Sequence, residues 1–249
     1  MSFKETLALL AFALIIPIVV MTIQYISEHR ERSKIYTAGM EARRLNGFIP
    51  YLNTTIRDDF LQETETESDL VLLDRLQDKL LWEECDRGES KWWDGASDPK
   101  NVWEVISKRI WEGRPEFGKA AGFEYWCNIM SDGVSLDWHV DKDEEELQNT
   151  GDLMMPIMGA VYYGFNHDGQ YSGGQLHTVD AEWYEDPLEF DFSRKRHDEV
   201  MSIDAHFNRL VIFNASLWHR VTDVHGGLRY TFAVNALTHV PFAAREAEL

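Results

Sequence analysis

The chain has 249 residues, 44% hydrophobic and 27% charged, a globular composition large enough for one domain with an appendage. Its 43 acidic and 24 basic residues give a formal charge of -19, and so acidic a surface repels phosphate backbones and excludes a general nucleic-acid binder. Two cysteines, Cys85 and Cys127, lack CxxC spacing, which excludes a disulfide framework and a Cys-rich zinc site. They leave room for one pair, although two isolated thiols fit a reducing compartment slightly better.

The first element is the run Leu7 to Ile26, which carries no charge. At about 1.5 Å per helical residue its 20 residues match a hydrocarbon core of roughly 30 Å. Pro17 lies mid-run, where a membrane helix tolerates it better than a soluble one. The expectation is a single-pass membrane anchor. Its rivals are a cleaved signal peptide, poorly served by the end Gln24-Tyr25-Ile26-Ser27, and a helix packed on its own domain. The flank Arg30, Arg32, Lys34, Arg43 and Arg44 puts the following domain on the cytoplasmic side. Two glycosylation sequons, at Asn53 and Asn214, would matter only on the other side. Residues 1–34 sum to +1 and residues 35–249 to -20, so the acidity belongs wholly to the folded part.

Residues 28–81 read mostly as helix. The clearest stretch is Asp69 to Leu81, with Leu73, Leu76 and Leu80 on one face and Ser68 as N-cap. Asp86 to Pro99 reads as a loop, and Asn101 to Glu112 as a second amphipathic helix. After Gly122 short β-branched and aromatic runs alternate with turn residues, as in 123–130, 159–165, 175–179, 209–213 and 228–235. Such spacing predicts an antiparallel sandwich or barrel. Asp143, Glu144, Glu145 and Glu146 read as a solvated loop, with attraction of a cationic substrate as the functional alternative.

Three segments carry chemistry. His139 and Asp141 lie two apart and share one side of an extended chain. The strand 209–213 leads into His219, and Arg229 and Thr231 share a face on the next run. Two imidazoles and one carboxylate suit Fe(II) as a facial triad with three positions left open. H-x-D alone is a weak signal. Followed by a distal His after an apolar strand, and then by Arg ten residues on, it is specific.

With these motifs the chain resembles the 2-oxoglutarate/Fe(II)-dependent dioxygenase superfamily, nearest its prolyl-4-hydroxylase-like branch, over about residues 120–240. Gly133, Gly173-Gly174-Gln175-Leu176 and Arg229-Tyr230-Thr231 are similar to family elements. Met130 stands where a Tyr hydroxyl is usual, and Tyr162 or Tyr163 is the expected substitute. The resemblance implies a double-stranded β-helix, with His139, Asp141 and His219 as metal ligands. It also implies Arg229 on the far carboxylate of 2-oxoglutarate, Thr231 beside it, O2 as cosubstrate and ascorbate as reductant. Asp141 argues against a halogenase, which has a small residue there.

The sequence therefore predicts an α+β chain. Residues 1–34 form an anchor helix and flank, residues 35–118 a helical support region, and residues 119–249 a double-stranded β-helix (jelly-roll) core. The expected activity is hydroxylation of a peptidyl or small-molecule substrate. A non-catalytic metal- or small-acid-binding module and a tethered interaction protein are the alternatives.

Overall fold

The computed structural model describes residues 54–61, 67–87, 90–112, 114, 118, 120–166, 169–182 and 200–246. The run Leu7–Ile26, its basic flank and Asn53 lie outside these residues. Among the described residues, no helix is long and apolar enough to cross a membrane.

The elements run β1 (Thr55–Arg57), α1 (Glu67–Arg75), α2 (Lys79–Asp86), β2 (Lys91–Trp93) and α3 (Val102–Trp111). Then come β3 (Gly122–Met130), β4 (Leu136–His139), α4 (Glu144–Thr150) and β5 (Met158–Tyr163). The chain continues through β6 (Ser172–Gly173), β7 (Leu176–Glu182), β8 (Val200–Ile203) and β9 (Arg209–Phe213). It closes with β10 (Leu217–Val221), β11 (Val224–His225), β12 (Arg229–Leu237) and α5 (Phe242–Glu246). A six-stranded sheet has the order β1-β9-β5-β12-β3-β2, and a four-stranded sheet the order β4-β10-β7-β8. Every paired strand is antiparallel. This strand-rich architecture is consistent with a jelly-roll core.

β12 shows how the sequence builds the frame. All nine of its residues are buried, because β3 and β5 flank it and both of its faces are covered. Tyr230, Phe232, Val234 and Ala236 point into the large core beneath the helices. Their period of two leaves Arg229, Thr231, Ala233 and Asn235 on the opposite face, toward the smaller sheet. The helical core is aromatic. Trp82 meets Trp103 edge to face at 4.8 Å, and Trp103 stacks on Phe232 at 5.1 Å.

The helical region differs from its sequence pattern in three ways. The continuous helix expected over 69–81 is broken into α1 and α2. Asp78 caps α2 by accepting from Leu80 N at 3.0 Å, and the Trp82 indole donates to the Leu76 carbonyl at 2.8 Å. The break buries Leu76 but turns Leu80 outward to 62% exposure. β1 and β2 also lie within stretches read as helix and loop, and extend the six-stranded sheet at its two ends. Asn101 to Glu112 agrees with α3, where Asn101 accepts from the backbone of Trp103 and Glu104.

Residues 143–146 are not a loop, and only Glu144 and Glu145 of the four are solvated; Asp143 and Glu146 are buried. Asp143 caps α4 through Glu146 N at 2.9 Å and also accepts from Phe242 N at 2.9 Å. Glu146 is buried and pairs with Arg245, and three acidic side chains fill the first turn, where the helix dipole favours them. Asp143 and Glu146 tie the carboxy-terminal helix to the segment that follows β4.

Cys85 and Cys127 are bonded to each other, which corrects the expectation of two separate thiols. The bridge fastens α2 to β3 across a sequence separation of 42. Closing a loop of that size is worth about 4 kcal/mol in the chain-entropy picture. Asn214 is buried, and its side chain accepts from Ser216 N at 3.0 Å, so this sequon is closed to modification.

Candidate active site

Between the two sheets the chain gathers His139, Asp141 and His219, each offering a ligand atom within 4.8 Å of the others. His139 ends β4 and His219 lies on β10, its register partner. Asp141 stands two residues past the end of β4, where its backbone N–H donates to Ala215 O at 2.9 Å. The H-x-D spacing therefore works by a strand end and a pinned loop, not by one continuous strand. Asp141 Oδ1 lies 3.6 Å from His139 Nε2 and 3.5 Å from His219 Nε2.

Both imidazoles are oriented from behind. His139 Nδ1 donates to the Asp137 carbonyl at 2.7 Å, and His219 Nδ1 donates to the Leu217 carbonyl at 2.9 Å. That tautomer leaves both Nε2 lone pairs facing Asp141, the arrangement a metal requires. Burial and the neighbouring His219 push the His139 pKa down. Burial opposes charge on Asp141, but both imidazoles and the Asn235 amide outweigh it and hold the carboxyl below its usual range. Burial also opposes charge on His219, yet contact with Asp141 raises its pKa. An ionised carboxylate facing two imidazole nitrogens is a cation site in both charge and donor type.

Arg229 opens β12 on the same wall and is 2% exposed. Its guanidinium donates to Thr231 Oγ1 and to Tyr163 OH, each at 3.2 Å, and approaches Met130 Sδ at 3.5 Å. No partner satisfies its Nε, and among the described residues no carboxylate pairs with it. A buried guanidinium without a counter-charge is costly, and the fork geometry suits a bidentate carboxylate from a ligand. The turn Gly173-Gly174 makes room for it. Both glycines have positive φ, and a Cβ at Gly174 would lie 2.7 Å from Arg229 Cδ.

The structure thus brings His139, Asp141, His219, Arg229, Thr231 and Tyr163 to one place. It does not bring Tyr162. That hydroxyl donates to Asn208 Oδ1 at 2.9 Å on the helical side of the sheet, where the ring packs against Phe60. Adjacent residues of a strand face opposite ways, so only one of the two tyrosines can serve the site. His177 faces away as well and accepts from Arg220 Nε at 3.2 Å. Trp126, Asn128, Phe213 and Asn235 also line the pocket and were not singled out from sequence. For Asn235 a signal existed, since it continues the two-residue period that starts at Arg229. A larger cleft of about 320 Å³ between α1 and α3 holds the Asp69–Arg109 ion pair but no converging ligand set.

Residues 123–236 match the family model of the 2OG-Fe(II) oxygenase superfamily. They belong to that superfamily. The matched segment contains the two imidazoles, the carboxylate and Arg229. This segment is accordingly an oxygenase domain of the class that uses Fe(II), 2-oxoglutarate and O2.

Among solved structures the chain is similar to a Pseudomonas putida prolyl-4-hydroxylase, with 18% identity over 76% of this chain and 88% of that one, at a TM-score of 0.46. It is also similar to a Trichoplax adhaerens prolyl hydroxylase in complex with a hypoxia inducible factor oxygen degradation domain peptide fragment. There the identity is 15%, the coverage 84% and 95%, and the TM-score 0.45. A viral collagen prolyl hydroxylase of Paramecium Bursaria Chlorella virus-1 gives 14%, 74%, 96% and 0.43 in the same order. No curated protein matches the chain in sequence.

Proposed function

We propose that the chain is a hydroxylase of the prolyl-4-hydroxylase-like kind, acting on a peptidyl or small-molecule substrate, with ascorbate as reductant. The observation that supports this most is the pairing of a three-atom ligand set with a buried, uncompensated Arg229 on one wall. His139 Nε2, Asp141 Oδ1 and His219 Nε2 are the atoms that would hold Fe(II). When bound, the iron with 2-oxoglutarate and O2 supplies the oxidising power that hydroxylates a C–H bond as succinate and CO2 leave.

The chain's own part is placement. Arg229 grips the far carboxylate of 2-oxoglutarate, and the Thr231 and Tyr163 hydroxyls hold the guanidinium in plane and add donors. The Asp137 and Leu217 carbonyls keep the imidazole rings aimed. Leu176, Phe213 and Val221 give the space between the sheets an apolar lining. Incubating the purified protein with Fe(II), ascorbate, 2-oxoglutarate and pools of peptides or small molecules should give substrate-dependent succinate and a product 16 Da heavier, the mass of one oxygen atom. A protein that binds 2-oxoglutarate but never releases succinate with any pool is a binding module, and the proposal fails.

Leu7–Ile26 tethers this domain to a membrane in the same reading. The Cys85–Cys127 bond favours an oxidising compartment for the domain, and this replaces the cytoplasmic side expected from the flanking charges. After carbonate extraction the full-length chain should stay in the membrane pellet. In sealed vesicles its domain should resist added protease until detergent opens them. Recovery in the carbonate supernatant would remove the tether, and digestion without detergent would restore the cytoplasmic side.

A further inference from the structure

The two oxygens of Asp141 have different surroundings. Oδ1 faces both imidazoles, at 3.6 and 3.5 Å. Oδ2 accepts a hydrogen bond from Asn235 Nδ2 at 3.0 Å. Asn235 is 4% exposed and sits on β12, six residues after Arg229 on the same face. Its register partner on β5 is Gly159. A Cβ at Gly159 would lie 2.8 Å from Asn235 Oδ1 and 2.7 Å from Ala215 Cβ. Ala215 is also the residue whose carbonyl holds the Asp141 backbone. The missing side chain at 159 therefore makes the space in which the Asn235 amide and residue 215 meet Asp141.

We infer that Asn235 is a positioning residue that restricts Asp141 to one ligating oxygen, with Gly159 providing the room. The inference rests on the Fe(II) reading of the triad. A six-coordinate ion held by three protein atoms has three positions open. A second oxygen from Asp141 would fill one of them and leave too few for a chelating cosubstrate and O2. A neutral amide donor suits the task. It binds Oδ2 without adding a positive charge that would repel the cation, and two flanking strands fix its position.

The test uses Co(II), which takes the same nitrogen and oxygen ligands and reports its coordination number in the visible ligand-field spectrum. Asn235→Leu keeps the volume and removes the donor. We expect this variant to bind Co(II) within about tenfold of wild type, to show an altered spectrum, and to bind 2-oxoglutarate at least about tenfold more weakly in the Co(II) form, in line with the loss of an outer-shell partner. Gly159→Ala should change spectrum and cosubstrate affinity in the same direction, and it carries the test if Asn235→Leu does not fold. A wild-type spectrum with 2-oxoglutarate affinity within twofold overturns the inference. Complete loss of Co(II) from a folded variant also overturns it, because Asn235 would then keep the carboxylate in place rather than limit its oxygens. Failure of the wild-type protein to bind Co(II) would instead refute the triad reading itself.

Discussion

Arg229→Ala should weaken 2-oxoglutarate binding by at least about a hundredfold. The guanidinium is buried, and its partners Thr231, Tyr163 and Met130 are all neutral. Among the described residues none supplies a counter-charge, and the expectation is that the ligand does. Removing one member of a desolvated charge pair costs roughly 3–5 kcal/mol. At about 1.4 kcal/mol per decade that is on the order of a hundred- to a thousandfold or more. Metal affinity without cosubstrate should barely change, since Arg229 contacts none of the three ligands. The apo protein should not lose comparable stability, because no carboxylate is orphaned by the change. Arg229→Lys should fall between, as a point charge cannot reproduce the fork. Calorimetric titration of 2-oxoglutarate into the Mn(II) form of each variant measures the effect. An unchanged curve for Arg229→Ala would mean that another residue grips the cosubstrate.

Asp141→Ala should abolish succinate formation and lower metal affinity by more than about a hundredfold, beyond the ten- to hundredfold typical of losing an outer-shell partner. Asp141 is the one negative charge of the triad, and its Oδ1 is shared between both imidazoles. Without it, two neutral nitrogens would face a divalent cation with no charge to offset its desolvation. The fold should survive, because the Asp141 backbone bond to Ala215 O is independent of the side chain. Circular dichroism and equilibrium dialysis against Mn(II) check the two halves of this expectation. Wild-type turnover in a folded Asp141→Ala protein would remove the facial triad from the account.

The site was more legible in the sequence than the fold around it. β12 announced itself because alternation on a strand buried on both faces still separates Arg229 and Thr231 from Tyr230 and Phe232. The choice between Tyr162 and Tyr163 was not legible. Two adjacent aromatics give no hydrophobic contrast from which to fix which one faces inward, and only the pairing of β5 with β12 and β9 decides it. The break between α1 and α2 was hidden for a related reason. Leu73, Leu76 and Leu80 keep a helical period across it, while the stop is set by the Asp78 cap and by a Trp82 indole on the Leu76 carbonyl. The disulfide joins residues with no spacing motif, and the contact between Asn235 and Asp141 spans 94 positions. Such contacts exist only once the sheets have met. The acidic run at 143–146 looked like solvated charge because the Glu146–Arg245 pair and the Asp143 contact with Phe242 N each join residues 99 apart.

His139, Asp141 and His219 are expected to hold Fe(II) within reach of a 2-oxoglutarate gripped by Arg229. Anaerobic titration of 2-oxoglutarate into the Fe(II)-loaded wild-type protein tests it most directly. A visible charge-transfer band should grow to saturation at one cosubstrate per iron, and it should be absent from Asp141→Ala. A wild-type protein that binds iron but develops no band, or an Asp141→Ala protein that develops the same band, would mean that these residues do not hold iron beside 2-oxoglutarate.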